Sequence, residues 1–350
     1  MKIAFLNIYN GRVLRGSEIF VSELASRLTY HHDVWVFQTG VSKKPPYKSV
    51  VISNIPFLFH QNGLLASMLY TIFVFVFTLC CIPILLKENF DWVIPINGRF
   101  QVLLCRLLRL IKGTRFLVSG HSGIGFDDRV NIVIGKPDVF VALSPSAAKW
   151  AQQINSSQKV AYIPNGIDTR KFNPVIPAAS VSLKKPIILC VAALVSYKRI
   201  KLLIDAVTRV DNTSLLVIGN GPQKEEISQI GKLKLGDRFL LLTNISHDKM
   251  PSYFRVASVF SLPSKEYESF GLAYLEALAC NTPVITPDDE NRRNILGEVG
   301  IYCDVTNVKE YALALKNALK TDFGDKARKQ SMKFSWDKIS KKYEQILEEN

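Results

Sequence analysis

The sequence predicts an α/β chain of two doubly wound domains, each a parallel sheet with helices on both faces. Three observations carry this. The 350 residues exceed the size at which a single hydrophobic core stops growing. Short apolar runs of strand length alternate with amphipathic helical stretches in both halves, the pattern of βαβ units. A loop-like stretch with Pro174 and Pro177 separates the two series. The expected organisation is a first domain at 1–170, a linker at 171–185, a second domain at 186–330 and a closing helix at 331–350. With 48% hydrophobic and 21% charged residues the chain is globular rather than disordered.

Ile3–Ile8 is a short apolar run, read as a buried strand. Gly16-Ser17-Glu18 opens a helix whose Phe20, Val21, Leu24, Ala25 and Leu28 fall on one face. Gly16 is either a turn glycine or a residue that lets a loop approach a phosphate. Val34–Phe37 and Val50–Ile52 continue the sheet. Asp91–Ile96 and Thr114–Ser119 are strands flanking the helix Phe100–Ile111. His121 follows at a strand end, where such folds place functional side chains, and reads either as structural or as a group that orients or deprotonates a substrate. Val139–Leu143 and Lys159–Ile163 close this series, with a helix near 147–153 between them.

Leu64–Leu86 is 23 residues without a charge, long enough to cross a bilayer as a helix. Strands on either side argue against a span, because it would put strands of one sheet on opposite sides of a membrane. A helix buried against the sheet and a helix lying on a membrane surface both fit. The net charge of +14 is uneven: residues 1–175 carry 19 basic and 9 acidic side chains, the remainder 25 and 21. A basic first half, with Arg99, Arg106, Arg109, Lys112 and Arg115 after the apolar segment, favours an anionic partner, either phosphates or a peripheral membrane surface. Nucleic acid is disfavoured, since the basic residues are scattered and no binding motif accompanies them. The six cysteines (Cys80, Cys81, Cys105, Cys190, Cys280, Cys303) show no paired metal spacing and lie mostly in apolar runs, as reduced thiols of a cytoplasmic protein do. The opening MKIAFLNIYN runs straight into a strand pattern rather than a cleavable signal.

The second series alternates cleanly. Strand Ile187–Ala193 leads through Lys198-Arg199 into the helix Ile200–Val210. Cations are unfavourable at a helix start unless an anion is near, so this pair at the ligand edge of a sheet suits a diphosphate. Strand Leu215–Ile218 ends at Gly219-Asn220-Gly221-Pro222, which lacks the third glycine of a dinucleotide fingerprint. Phe239–Leu242, a helix over His247–Val256, and Val259–Leu262 follow.

The last of these strands enters LPSKEYESFGLAYLEALACNTPVI, residues 262–285. Glu268 and Glu276 sit either side of a helix start, whose unpaired N–H groups and dipole can hold an anion. Carboxylates that accept from sugar hydroxyls beside a phosphate site suggest a nucleotide-sugar pocket; a loop charge and a solvent-facing glutamate are the plainer reading. Asp288-Asp289 resembles a metal motif only superficially, since adjacent loop aspartates are mostly solvated.

With these residues in hand, the chain resembles the retaining glycosyltransferases of family 4, which have the GT-B fold: two Rossmann-like domains facing a central cleft. ESFGLAYLEALACNTPVI is similar to the family's E-x-F-G-L-x-x-L-E-A-x-A-C-G-x-P-V-I, and YIPNGIDTRKF to its end-of-domain P-N-G-V-D-x-x-x-F. RGSEIFVSELASRL resembles the first-loop helix, and FSWDKISKKYEQIL the closing helix that crosses back to the first domain.

The resemblance implies that the first domain takes the acceptor and the second the donor, a UDP- or GDP-sugar. Glu276 would hold the donor ribose and Glu268 the donor-sugar hydroxyls. Phe270, Gly271 and Leu272 would offer backbone amides, and Lys198 would neutralise the leaving diphosphate. Gly16 would admit the first loop to that diphosphate. Asn220 and Ile245 would complete the donor site, the base resting near Asn244-Ile245, and His121 would lie beside the transferred sugar. No metal or other cofactor is implied. The implied activity is a metal-independent hexosyl transfer to a glycan or lipid-linked acceptor, in cell-surface polysaccharide or glycolipid synthesis at the inner face of a membrane. The alternative is a non-catalytic subunit that binds a partner enzyme or glycan.

The chain departs from the family at several positions. Arg15-Gly16 stands for Gly-Gly, and Ala192-Ala193-Leu194 for Gly-Arg-Leu, which removes one cation that Arg199 is expected to replace. Asn281 stands for a glycine, as a helix C-cap residue, and DDENRRN follows Thr286.

Overall fold

In the computed structural model the chain divides into two units, Met1–Gly166 with Trp336–Asn350, and Ile167–Ser335. The structure describes residues 1–13, 16–41, 44–53, 55–56, 64–98, 100–121, 123–265, 270–321 and 323–349, with backbone alone at 64–67.

The first unit alternates β1 (Lys2–Leu6), α1 (Gly16–Leu28), β2 (Asp33–Gln38), β3 (Lys48–Val51), α2 (Leu64–Lys87), β4 (Trp92–Pro95), α3 (Phe100–Lys112), β5 (Arg115–Ser119), α4 (Phe126–Val130), β6 (Val139–Ala142), α5 (Pro145–Ile154) and β7 (Val160–Tyr162). Its seven strands, all parallel, run in the order β3-β2-β1-β4-β5-β6-β7. Successive side chains of a strand point to opposite faces. In β1, Ile3 and Phe5 therefore join one core with α1, while Ala4 and Leu6 join the other with residues of α2 and α3. Both faces are covered, which is why the strand reads as an unbroken apolar run.

The apolar segment packs one side into the core of this unit and leaves the other exposed. Val74, Phe77, Cys81 and Leu85 recur on one side of α2 and belong to the core of this unit. Met68, Ile72, Phe75, Leu79 and Leu86 on the other side are exposed. By length and composition the helix suffices to cross a membrane, and 28% of its most apolar window is buried. Tyr70 Oη accepts from Asn97 Nδ2 at 3.1 Å, tying the helix to the end of β4.

The second unit runs β8 (Ile187–Val191), α6 (Ile200–Val207), β9 (Ser214–Ile218), α7 (Lys224–Leu235), β10 (Phe239–Leu242), α8 (Met250–Val256), β11 (Val259–Ser261), α9 (Leu272–Ala279), β12 (Val284–Thr286), α10 (Glu290–Leu296), β13 (Gly300–Tyr302), α11 (Val308–Lys320) and α12 (Lys326–Ser331). Its parallel sheet has the order β10-β9-β8-β11-β12-β13. The stretch expected as a linker belongs to this unit: Phe172 is 1% exposed, with its ring centroid 5.3 Å from that of His247 and 6.1 Å from that of Phe254. Arg328 donates to the carbonyls of Thr169 and Phe172 at 2.7 Å, holding the same stretch to α12.

The closing helix α13 (Trp336–Glu349) returns to the first unit. Trp336, Ile339, Tyr343 and Leu347 join the core that holds α1. Tyr343 Oη meets Ser119 Oγ at 3.2 Å, and Trp92 Nε1 donates to the Leu347 carbonyl at 3.1 Å.

Candidate donor and acceptor sites

In an open parallel sheet, ligands bind beyond the strand C-termini where strand order reverses. In the second unit that point lies between β8 and β11. The chain leaves β8 into a short 3-10 turn, Ser196–Lys198, and leaves β11 into the loop from Leu262. These two segments are joined. The Lys265 amide donates to the Tyr197 carbonyl at 2.9 Å. Arg199 Nε donates to the Pro263 carbonyl at 2.7 Å, and its Nη2 to that of Ser264 at 3.1 Å. Lys198 is 7% exposed, with Nζ 5.0 Å from the Tyr197 ring centroid.

Arg199 has φ 53, the left-handed conformation that glycine adopts without cost. A glycine would meet this conformation without strain, whereas an arginine meets it at a cost. The arginine adds two hydrogen bonds that clamp the β11 loop, so the cation expected to replace the missing arginine is held by two of its nitrogens on backbone carbonyls. Ala193, where that arginine would stand, is exposed.

Glu268 lies outside the described residues, as does Glu266. Phe270 is 4% exposed, and Gly271, with φ 88, precedes α9 as an N-cap without any side-chain hydrogen bond. Gly271 thus offers no side chain to the first N–H groups of the helix, which lie at the ligand end of the sheet. Inside α9, Glu276 is 7% exposed, and its Oε1 accepts from His247 Nε2 at 3.0 Å. Lys171 Nζ, itself paired with Asp248 at 2.6 Å, lies 3.0 Å from His247 Nδ1. An ammonium only donates, so Nδ1 accepts, Nε2 carries the proton, and the imidazole is oriented toward Glu276.

Asn220 is exposed, and its Oδ1 accepts from the Gly221 amide at 2.9 Å. The glycines beside it serve a close approach of loops: a Cβ on Gly219 would lie 1.9 Å from the Ala192 carbonyl oxygen. Ile245 is half-buried just beyond β10, after Asn244 with φ 57. Asn281, with φ 60 beyond the last turn of α9, takes the expected capping conformation and also donates to the Gly324 carbonyl at 2.6 Å.

Two residues of this site were not singled out by their types. One is His247. The other is Arg292, 2% exposed, which donates to Tyr274 Oη (3.1 Å), to Ser264 Oγ (2.8 Å) and to the carbonyls of Ser264 and Lys265 (both 2.9 Å). It also pairs with Asp289, which caps α10 by accepting from the Arg292 amide at 3.0 Å. Asp288 takes Arg293 at 2.5 Å. Both aspartates of the superficial metal motif are thus engaged by arginines.

In the first unit a cavity of about 340 Å³ opens at the C-terminal ends of β4 and β5, lined by Ser17, Asn97, Ser119, His121, Asp128 and Asn131 among others. Gly16, exposed, opens α1 directly before Ser17. The His121 ring lies edge-on to Phe20, centroids 4.5 Å apart, and burial pushes its pKa down to about 4. The imidazole is therefore neutral near pH 7, a poor proton acceptor suited to orienting a hydroxyl. Its Nε2 is buried with no hydrogen-bond partner among the described residues. A buried nitrogen left so is the signature of a group awaiting a ligand or water.

Among the described residues one group has metal-ligand spacing: His32, Glu344 and Glu348, with ligand atoms within 4.8 Å of one another. It joins the turn after α1 to α13, where His31 Nδ1 and His32 Nε2 lie 2.7 and 3.2 Å from Glu344 Oε1.

Comparison with known proteins agrees with this layout. Residues 14–171 match the profile described as Glycosyltransferase Family 4, and residues 174–334 that of Glycosyl transferases group 1. N-acetyl-alpha-D-glucosaminyl L-malate synthase of Bacillus anthracis is 27% identical over 95% of this chain and 89% of its own length. The GDP-mannose-dependent alpha-(1-6)-phosphatidylinositol monomannoside mannosyltransferase of Mycolicibacterium smegmatis is 26% identical over 49% of this chain. The match spans only about half (50%) of that relative's length. Among solved structures, sucrose-phosphate synthase from Thermosynechococcus elongatus superposes with TM-score 0.80 at 20% identity over 99% of this chain and 98% of its own. Anabaena HepE, in complex with UDP and glucose, gives 0.76 at 15% identity over 100% of both chains. These likenesses establish the GT-B fold.

Proposed function

The chain belongs to the family 4 glycosyltransferases, and from that premise we propose that it moves a hexose from a UDP- or GDP-sugar to a hydroxyl of a glycan or lipid-linked acceptor. In this reading the transfer proceeds with retention, needs no bound metal, and occurs in the cytoplasm at the inner face of a membrane. The observation that carries it is the junction of the β8 and β11 segments. It sets the buried Lys198 and the glycine-capped N-terminus of α9 at one edge of the sheet, with Glu276 inside that helix.

That edge has the chemistry a nucleoside diphosphate requires. Lys198 and the first amides of α9 take the negative charge that grows on the leaving diphosphate, the part a divalent cation plays elsewhere. Glu276, oriented by His247, accepts from the ribose hydroxyls. Glu268 is assigned to the donor-sugar hydroxyls. The first unit takes the acceptor, with His121 beside the transferred sugar. A nucleotide-bound structural neighbour and a GDP-mannose-dependent relative support a nucleotide-sugar donor.

The test is nucleotide release across a panel of UDP- and GDP-sugars, with and without acceptors and with EDTA. The expected result is turnover with one donor, unaffected by EDTA and with retained anomeric configuration. Binding of a donor without turnover on any acceptor selects the alternative of a non-catalytic subunit, which Lys198, Glu268 and Glu276 together argue against and the alanine at 193 leaves open.

A further inference from the structure

The parallel strands of the first unit start at the edge opposite the His121 cavity, and β2 begins there just after His32. The turn that carries His32 is held by its own backbone. The His31 and His32 amides donate to the Leu28 carbonyl at 3.2 and 2.9 Å, and the Asp33 amide to that of Met1 at 2.9 Å. The His32 side chain is 5% exposed, and both its ring nitrogens are buried with no hydrogen-bond partner among the described residues. A buried polar atom left so calls for a ligand or a water.

What faces the ring is acidic. Glu344 and Glu348 lie one turn apart on α13, and with His32 they offer ligand atoms within 4.8 Å of one another. Glu344 Oε1 is 3.2 Å from His32 Nε2. That is close to the edge of about 3.3 Å that bonds of about 2.0–2.1 Å to nitrogen and oxygen span in a tetrahedron around zinc. Like charges four residues apart repel, and α13 has no basic residue in its last turn to offset them against the helix dipole. A bound cation removes both penalties. The groups that act electrostatically on the ring are Glu344, Glu348, His31 and the Met1 ammonium. Two carboxylates against one fixed ammonium leave a field that attracts a cation.

We propose that His32 Nε2, Glu344 and Glu348 bind one zinc ion, with His31 as the fourth ligand, and that the ion pins the last turns of α13 to the turn before β2. The His31 ring is exposed and free to turn, and its Nδ1 already points at the cluster, 2.7 Å from Glu344 Oε1. Imidazole beside carboxylate suits zinc, whereas magnesium and calcium take oxygen ligands. Four protein ligands close the site, which fits a structural ion. Trp336, Ile339, Tyr343 and Leu347 bury one face of α13 with α1, and the zinc adds a coordinate bond beside that apolar contact. The site lies at the end of the sheet away from the cavity, so the transfer itself does not use the ion.

The whole chain carrying Cys80→Ser, which removes its one exposed thiol, is stripped with EDTA and titrated with zinc chloride by calorimetry near neutral pH. It should take up one equivalent, and calcium and magnesium should bind at least about a hundredfold more weakly. Zinc at about a hundredfold over its Kd should raise the thermal midpoint by about 5 °C. His32→Gln should abolish both the uptake and the rise. So should Glu348→Gln, whose exposed side chain makes the exchange harmless to folding. His31→Gln should weaken uptake by about tenfold and keep its stoichiometry. No uptake, uptake that either His32→Gln or Glu348→Gln keeps in full, calcium bound as tightly as zinc, or uptake without a rise in midpoint overturns the proposal. Well below the thermal midpoint, turnover keeps its expected indifference to EDTA.

Discussion

At the scale of the residue, the second unit sets a division of labour that kinetics can separate. Lys198 opposes charge that develops on the leaving group, so its effect belongs to turnover. Lys198→Ala should lower kcat by about 10²–10³-fold, the cost of losing one preorganised electrostatic contact, with Lys198→Arg recovering part of it. His247 acts through Glu276: without the ring, that buried carboxylate loses the partner 3.0 Å away that orients it. His247→Ala should therefore raise the donor KM by roughly tenfold, the worth of one hydrogen bond to a charged group, and change kcat much less. His247→Gln, which keeps a donor, should restore affinity in part. A fall in kcat at constant KM would show instead that His247 serves the chemical step. Lys198 and Glu276 were legible in the sequence because a sheet edge and a helix start give charged residues there a meaning. His247 and Arg292 were not, since their partners come from other elements: Glu276 lies 29 residues beyond His247, and Ser264 lies 28 before Arg292. An arginine inside DDENRRN reads as surface charge until the fold buries it.

Elements were legible wherever both neighbours were already implied. Strands buried on two faces announce themselves as short apolar runs, and most fell within a residue or two of their observed bounds. The π-helical turn Asn131–Gly135 carries no such signal and was left unassigned, as was the run from α10 to α12, although α11 repeats Tyr311, Ala312, Leu315 and Ala318 on one buried face. The apolar α2 was the hardest, because a helix apolar on every side has no face to distinguish. Burial does so, and it predicts unequal costs along one helix. Phe77, fully buried, should lose about 3–5 kcal/mol on substitution by alanine, from lost transfer energy plus the cavity left behind. Phe75, 42% exposed, should lose far less, within the range of about 1 kcal/mol common for substitutions on a surface. Urea midpoints of Phe77→Ala and Phe75→Ala compare them directly. Equal losses would mean that both sides of α2 are covered in the native protein.

At the scale of the whole molecule, buried titratable groups set how stability follows pH. The imidazole of His121 is held neutral down to about pH 4 in the folded chain, while in the unfolded chain it protonates near its ordinary value of 6.5. Burial likewise lowers the pKa of His32. Between those values the unfolded state binds more protons, so stability rises with pH across that interval and is lost as pH falls through it. For His121 alone the difference amounts to roughly 3 kcal/mol once pH is below 4. The thiols act at the other limb. Burial pushes Cys190, Cys280 and Cys303 up to about 12, and Cys81 and Cys105 further, from an ordinary value of 9.0. Above pH 9 the unfolded chain sheds protons that the folded chain keeps, and stability falls again. Thermal midpoints measured across pH should therefore form a plateau between about 6.5 and 9, bounded by a histidine limb and a thiol limb. His121→Gln should flatten the acid limb and leave the alkaline one in place. An unchanged acid limb in that variant would mean that water or a ligand already solvates His121 Nε2, and that the chamber around it is filled in the resting protein.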